Sequence, residues 1–237
     1  MKIALFGYGK MGKAIEEIAL DRGHEIVKKL SSQNDVPLKK EDLNQADVVI
    51  EFTRPEKAVN HILTCFDFQI PIIVGTTGWY KDIDMVKSAC KEKQGSLLAA
   101  TNFSIGVNLF FELNKQLARL MDKKAYQVEI EEIHHLEKLD SPSGTAITLA
   151  EGIIENNKAY QNWKNHITTL NGEIPIHSLR EAGVPGTHEV KYHSNIDEIS
   201  IQHKAKNRKG FALGAVIAAE FIQDKKGIFT MQDILKS

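Results

Sequence analysis

Lys2-Ile3-Ala4-Leu5-Phe6-Gly7-Tyr8-Gly9-Lys10-Met11-Gly12 is the stretch from which the fold is read. A short apolar run ends at a glycine, as a buried strand does. Gly7, Gly9 and Gly12 have G-x-G-x-x-G spacing, and Met11, Ala14, Ile15, Ile18 and Ala19 then recur at helical intervals up to Gly23. Strand, glycine turn and helix in this order open a dinucleotide-binding unit. The first glycine permits the tight turn, the second lets backbone approach a pyrophosphate, and the third lets helix pack on strand. Amides at the helix start would face the phosphates. Gly7, Tyr8, Gly9, Lys10, Met11 and Gly12 are therefore candidate cofactor contacts.

Outward from this unit the same alternation continues. HEIVKKL (24–30), ADVVIEF (46–52), IPIIVG (70–75) and SLLAA (96–100) read as strands. A helix opens at Pro55 with Ala58, Val59, Ile62 and Leu63 on one face, and another covers 81–93. Apolar strands alternating with helices predict a parallel sheet covered on both faces. After about Ser104 the pattern changes. A helix is expected over 107–121, and YQVEIEEI (126–133), HEVKYH (188–193) and EISIQH (198–203) alternate apolar with polar, as strands with one wet face do. Ala212, Ala215, Val216, Ala219 and Ile222 mark one face of a later helix, expected to return to the first half.

The predicted fold class is α/β: an N-terminal Rossmann-like doubly wound parallel sheet, with a second α+β domain built on a mixed or antiparallel sheet. Residues 1–104 with 209–237 are expected to bind dinucleotide, and 105–208 to bind substrate and mediate oligomerisation. The stretch 157–175 gives no clear element.

Thirty basic and 31 acidic side chains in 237 residues leave a net charge of −1, so no overall field favours nucleic acid or a membrane surface. No run approaches the ~18 apolar residues of a membrane helix. The N-terminal apolar run is too short for a signal peptide. Cys65 and Cys90 lack metal-site spacing and read as reduced, buried thiols. A cytoplasmic globular protein is expected.

About 20 residues beyond such a glycine loop, an acidic residue ordinarily holds the ribose of NAD. The corresponding region here is Lys28-Lys29-Leu30-Ser31-Ser32. With no carboxylate to repel a 2′-phosphate, it tilts the expectation towards NADPH, with Ser31 and Ser32 as contacts. Lysines that are merely solvated would carry no such message, so NADH stays open.

The densest chemistry lies in Glu132-Ile133-His134-His135-Leu136-Glu137-Lys138-Leu139-Asp140-Ser141-Pro142-Ser143-Gly144-Thr145-Ala146. A strand delivers two histidines into a loop, a lysine follows, and Ser143-Gly144-Thr145 opens a helix carrying Leu149, Ala150 and Ile153. Histidine exchanges protons near neutrality, and lysine gives a proton or holds a carboxylate. Adjacent strand residues point to opposite faces, so one histidine could equally be a satisfied bystander. For the same reason His134 and His135 make a poor zinc pair, and no metal is expected.

These residues closely resemble the E-I-H-H-x-x-K-x-D-x-P-S-G-T-A signature of the 4-hydroxy-tetrahydrodipicolinate reductase (dihydrodipicolinate reductase) family. Matches follow in order at Glu51-Phe52-Thr53, Gly75-Thr76-Thr77-Gly78, Thr101 to Asn108, and His203-Lys204-Ala205 with Arg208, Phe211 and Gly214. The resemblance runs from residue 7 to about 219. It implies reduction of a cyclic dicarboxylate by NADPH and/or NADH in lysine and diaminopimelate biosynthesis, in a homotetramer. It places proton handling on His134 and Lys138, and substrate binding on His135, Ser143, Gly144 and Thr145. Cofactor contacts fall on Gly7 to Gly12, Gly75, Thr76 and Thr77, on Ala100, Thr101, Asn102 and Phe103, and on Arg208 and Phe211. The family's loop often reads G-x-x-G-R-M-G, so Lys10 is a departure that bears on cofactor preference. The rival expectations are another small amino-acid-type dehydrogenase and a non-catalytic dinucleotide-binding redox sensor. Neither accounts for the His-His-x-x-Lys segment, and a DNA-linked sensor would need a basic patch that the sequence lacks.

Overall fold

The computed structural model describes Met1–Ser237 apart from residues 32–38, 44, 167–169 and 208. In chain order, β1 (Lys2–Phe6), α1 (Lys10–Asp21), β2 (Glu25–Leu30), β3 (Val48–Glu51), α2 (Pro55–Asp67), β4 (Ile72–Val74), α3 (Ile83–Glu92) and β5 (Ser96–Ala99) come first. Then follow α4 (Ile105–Met121), β6 (Gln127–His134), α5 (Gly144–Asn156), β7 (Asn162–Lys164), β8 (Glu173–Arg180), β9 (Thr187–His193) and β10 (Glu198–Lys204). The chain closes with α6 (Lys209–Ile222), β11 (Gly227–Phe229) and α7 (Met231–Leu235). Two compact units result: Met1–Ile105 with Arg208–Ser237, and Gly106–Asn207.

The first unit is a six-stranded, all-parallel sheet in the order β11-β5-β4-β3-β1-β2. Its inner strands β1, β3, β4 and β5 are largely apolar on both sides because both sides are covered, while the edge strand β2 carries Lys28 and Lys29. Ile3, Leu5, Val48, Ile50, Ile73 and Leu98 pack with Ile15 and Ala19 of α1 and with Ala212, Ala215, Ala219 and Ile222 of α6. The alternate residues Ala4, Phe6, Val49, Ile72 and Val74 pack with Ile62 and Phe66 of α2 and with Val86 and Cys90 of α3. The expected return of the 212–222 helix is thus real. Its small residues allow close approach, and Arg22 of the segment after α1 grips Glu220 with two hydrogen bonds of 2.8 Å.

The second unit holds a five-stranded mixed sheet in the order β10-β9-β6-β8-β7. β9 is antiparallel to β6 and β10, while β8 runs parallel to β6 and β7. Val128 and Ile130 of β6, Ile176 of β8, and Val190 and Tyr192 of β9 face Phe110 of α4 and Leu149 and Ile153 of α5. A side-chain period of two carries Glu132 and His134 onto the same face as Val128 and Ile130. The register sets Glu132 beside His188 on β9 and Ser178 on β8, and His134 beside Arg180.

The stretch 157–175, illegible in sequence, contains β7 and the start of β8. Pro175 and mixed burial along Glu173–Arg180 disguise β8 as a loop. Trp163 on β7 packs at the margin of the second unit's core. Among the described residues, no helix is long and apolar enough to cross a membrane.

Candidate active site

In the first unit, every loop that the sequence singled out follows the C-terminal end of a parallel strand. Gly7 has φ +92°, and a Cβ on it would lie 2.0 Å from the Phe52 carbonyl oxygen. A Cβ on Gly12 would lie 2.3 Å from the Gly7 carbonyl oxygen, so only glycine lets α1 sit this close to its own turn. Gly9, by contrast, faces open space. The amides of Gly7 and Tyr8 both donate to the Leu30 carbonyl at 3.0 Å and stitch the loop to β2. With those two engaged, the amides placed for an anion are those of the N-cap Gly9 and of the first turn of α1, at Lys10, Met11 and Gly12.

A cavity of about 230 Å³ opens here, bordered by Gly7, Gly9, Ser31, Thr53, Arg54 and His61 among others. It lies where β1, β2 and β3 end, the point at which strand order reverses in the sheet and where doubly wound folds bind nucleotides. Sequence reading missed Arg54, Lys57 and His61. The available signal was the Pro55 helix start directly after β3, which obliges the first turns of α2 to flank the site.

Lys28 and Lys29 have protein partners. Lys28 pairs with Asp42 at 2.8 Å, and Lys29 with Glu16 at 2.5 Å, 4.7 Å from the Tyr8 ring. The Tyr8 hydroxyl also donates to Glu16. Lys29 first, then Tyr8, holds the Glu16 carboxyl below its ordinary range. These pairings offset the charge on which the tilt towards NADPH rested.

Gly75, Thr76 and Thr77 follow β4, and a Cβ on Gly75 would fall 2.2 Å from the Phe52 ring. Ala100, Thr101, Asn102 and Phe103 follow β5, where the Asn102 side chain accepts the Ser104 amide at 2.9 Å. Phe103 is buried, with its ring 5.8 Å from that of Phe52. Phe211 is partly buried in the first turn of α6. Ser32 and Arg208 lie outside the described residues.

In the second unit, one end of the sheet gathers a charged cluster around Glu132, which is fully buried. Its Oε1 accepts the Ser143 amide at 3.0 Å and lies 3.4 Å from Arg180 Nη1. Its Oε2 lies 2.9 Å from His134 Nδ1 and 3.7 Å from His188 Nε2. Burial alone would raise this carboxyl, but His134, Ser143 and Ser178 outweigh burial and bring it down to about 2. His188 is pushed down to about 3, by burial first and by His134 second, and is neutral in the fold. The His134 and His188 rings meet edge to face at 4.9 Å.

Ser143 caps α5 by accepting the Ala146 amide at 3.2 Å and also bonds His188 Nε2 at 3.0 Å. The start of α5, with Gly144 and Thr145, is thereby tied to the histidine cluster. Lys138 Nζ bonds both carboxylate oxygens of Asp140 at 2.8 Å. Arg180 braces this loop from beneath, donating to the carbonyls of Lys138 at 3.3 Å and Asp140 at 2.6 Å. His135 is partly buried, and among the described residues its Nδ1 has no hydrogen-bond partner.

His134, Lys138 and Ser143 to Thr145 therefore converge on one end of the second sheet. Sequence reading missed Glu132, Arg180 and His188 as members of the cluster. Glu132 could have been found, because it shares a strand face with His134. Arg180 and His188 are long-range neighbours that only the sheet register supplies. Glu132, His134 and His188 also place three ligand atoms within 4.8 Å of one another, a donor set that a divalent ion accepts. Arg180 already compensates the carboxylate, which favours proton handling over ion binding.

A parallel sheet with a glycine loop at its switch point, joined to a unit bearing a buried His/Glu/Arg cluster beside a lysine, defines a two-unit oxidoreductase of the Rossmann-like class. Two family models divide the chain between them: "Dihydrodipicolinate reductase, N-terminus" over residues 1–103, and "Dihydrodipicolinate reductase, C-terminus" over 106–235. The chain belongs to the dihydrodipicolinate reductase family. It is 53% identical to the 4-hydroxy-tetrahydrodipicolinate reductase of Christiangramia forsetii, covering 99% of this chain and 98% of that one. Identity to the same enzyme of Alkaliphilus oremlandii is 34%, again covering 99% and 98%. Among solved structures, a dihydrodipicolinate reductase from Paenisporosarcina sp. TG-14 with dipicolinate bound superimposes with a TM-score of 0.79 at 25% identity, covering 97% of each chain.

Proposed function

We propose that this chain reduces 4-hydroxy-tetrahydrodipicolinate to tetrahydrodipicolinate with NAD(P)H, in the cytoplasm and as a homotetramer. The observation that carries the activity is the 53% identity to a named reductase over the whole length of both chains. The first unit holds the dinucleotide: its pyrophosphate against the first turn of α1, its adenosine half in the cavity bordered by Ser31, Arg54 and His61. When bound, the nicotinamide supplies a hydride. The loops Gly75–Thr77 and Ala100–Phe103 orient that end of the cofactor, and the family resemblance adds Phe211 and Arg208 as further cofactor contacts. The second unit holds the dicarboxylate through His135 and the Ser143–Thr145 turn, whose amides and hydroxyls suit an anion. The substrate's hydroxyl leaves as water, the ring accepts the hydride, and His134 or Lys138 supplies the balancing proton. The tetramer and the cytoplasmic location follow the family resemblance.

The test is an absorbance assay with NADPH and, separately, NADH, using substrate made freshly from pyruvate and aspartate semialdehyde by the preceding synthase. Oxidation that requires both the protein and the synthase product is the expected result. No oxidation with either cofactor, by folded protein that binds dinucleotide, overturns the activity. Because Lys28 and Lys29 are paired with carboxylates, NADH is expected to serve as well as NADPH, to within about tenfold. A ratio of rates beyond a hundredfold in favour of NADPH would contradict that. Sedimentation at assay concentration tests the tetramer.

A further inference from the structure

We propose that Glu132 is a positioning residue that holds the Nδ1 proton of His134 and so makes Nε2 the atom through which His134 exchanges protons. The inference rests on the reading of His134 as a proton-handling residue and adds the group that sets its tautomer.

The geometry is asymmetric across the His134 ring. Nδ1 is buried, faces Glu132 Oε2 at 2.9 Å, and among the described residues neither atom has a hydrogen-bond partner of good angle. A small rotation about the broad χ2 torsion of the ring aligns the pair. The opposite edge lies against Gly186, where the missing side chain leaves room beside the ring: a Cβ there would fall 3.1 Å from Nε2. Glu132 is itself fixed, because its Oε1 takes the Ser143 amide at 3.0 Å and lies 3.4 Å from Arg180 Nη1. A carboxylate that remains ionised and cannot turn leaves Oε2 as an acceptor only, so Nδ1 must be the donor. His188 Nε2, 3.7 Å from the same oxygen, is engaged with the Ser143 hydroxyl at 3.0 Å and competes little for it. In the protonated ring, the Nε2–H bond breaks as the proton passes to substrate. Neutral imidazole remains with Nδ1–H on Glu132, and the carboxylate is unchanged.

Glu132→Gln tests this sharply. Ser143 N–H and Arg180 both donate towards the Oε1 position, so the amide oxygen settles there and the NH₂ faces His134 Nδ1. Nδ1 must then accept, and the ring proton moves to Nε2. The readouts are the side-chain ¹⁵N shifts of histidine-labelled protein, assigned by difference against His134→Gln, together with steady-state kinetics. Wild type is expected to show the Nδ1–H tautomer at His134. Glu132→Gln is expected to show Nε2–H and a kcat lower by about 10²-fold, with KM within about threefold. Glu132→Asp, which keeps the charge, should recover part of the lost kcat. A wild-type spectrum dominated by Nε2–H overturns the proposal, and it decides the matter even if Glu132→Gln fails to fold. Normal kcat in Glu132→Gln with an inactive His134→Gln overturns the proposal while leaving His134 in its role. Normal kcat in His134→Gln removes His134 from the mechanism altogether.

Discussion

At the scale of single residues, the second unit separates two basic groups by their surroundings. His134 is buried against a carboxylate that cannot move, whereas Lys138 is tied to the exposed side chain of Asp140. If His134 carries the proton, His134→Ala should lower kcat by about 10²–10⁴ with little change in KM. An unchanged kcat would exclude it. Lys138 has a carboxylate partner that a substrate dicarboxylate can replace, so Lys138→Ala should raise KM and lower kcat together. Normal kinetics in that variant would take it out of the site. His134, Lys138 and the Ser143–Thr145 turn were legible because strand, loop and helix cap lie within one continuous stretch. Arg180 was not legible, since the partners that draw it into the cluster, the carbonyls of Lys138 and Asp140 and the carboxylate of Glu132, lie 40 to 48 positions away.

At the scale of elements, the cofactor-side loops are held by close backbone packing. A Cβ on Gly214 of α6 would fall 1.7 Å from the Phe103 carbonyl oxygen. That atom belongs to backbone and cannot swing away, so Gly214→Ala must shift either α6 or the loop after β5. The expected cost is about 1–3 kcal/mol or more, a fall in Tm of roughly 2–10 °C, with weaker dinucleotide binding because Phe103 moves. A variant with unchanged Tm and unchanged cofactor affinity by titration calorimetry would show that this packing is slack. β1, β3, β4 and β5 could be read as elements because burial on both faces makes them almost continuously apolar. β11, three residues at the sheet edge, left no such signal in the sequence. Nor could β8 be read, since Pro175 interrupts it and its polar residues are shared between the two faces, Arg180 in the charged cluster and His177 against Glu129.

At the scale of the whole molecule, the buried cluster makes the fold acid-sensitive. His188 has its folded value lowered from 6.5 to about 3, so the unfolded chain binds the extra proton between those limits. The stability it contributes is complete above about pH 6.5 and is lost as pH falls towards 3. Glu132, lowered from 4.5 to about 2, acts in the same direction at lower pH: its contribution is complete above about 4.5 and lost as pH falls towards 2. The Tm of the wild type should therefore fall steadily from pH 6.5 to pH 4, and His188→Gln should show a visibly flatter slope over that interval. Parallel slopes would mean that His188 does not titrate with unfolding.

By itself, the sequence determined the class of the fold, the glycine turn that opens it, and the continuous segment from Glu132 to Ala146. All three rest on local physics: apolar periodicity, the steric freedom of glycine, and the capping of a helix by Ser143. Only the tertiary structure decided which groups surround His134, that Lys28 and Lys29 are neutralised by Asp42 and Glu16, and that Arg54 and His61 border the nucleotide cavity. Strand register and helix packing bring together residues far apart in sequence, and no local pattern encodes which side chain will stand opposite which.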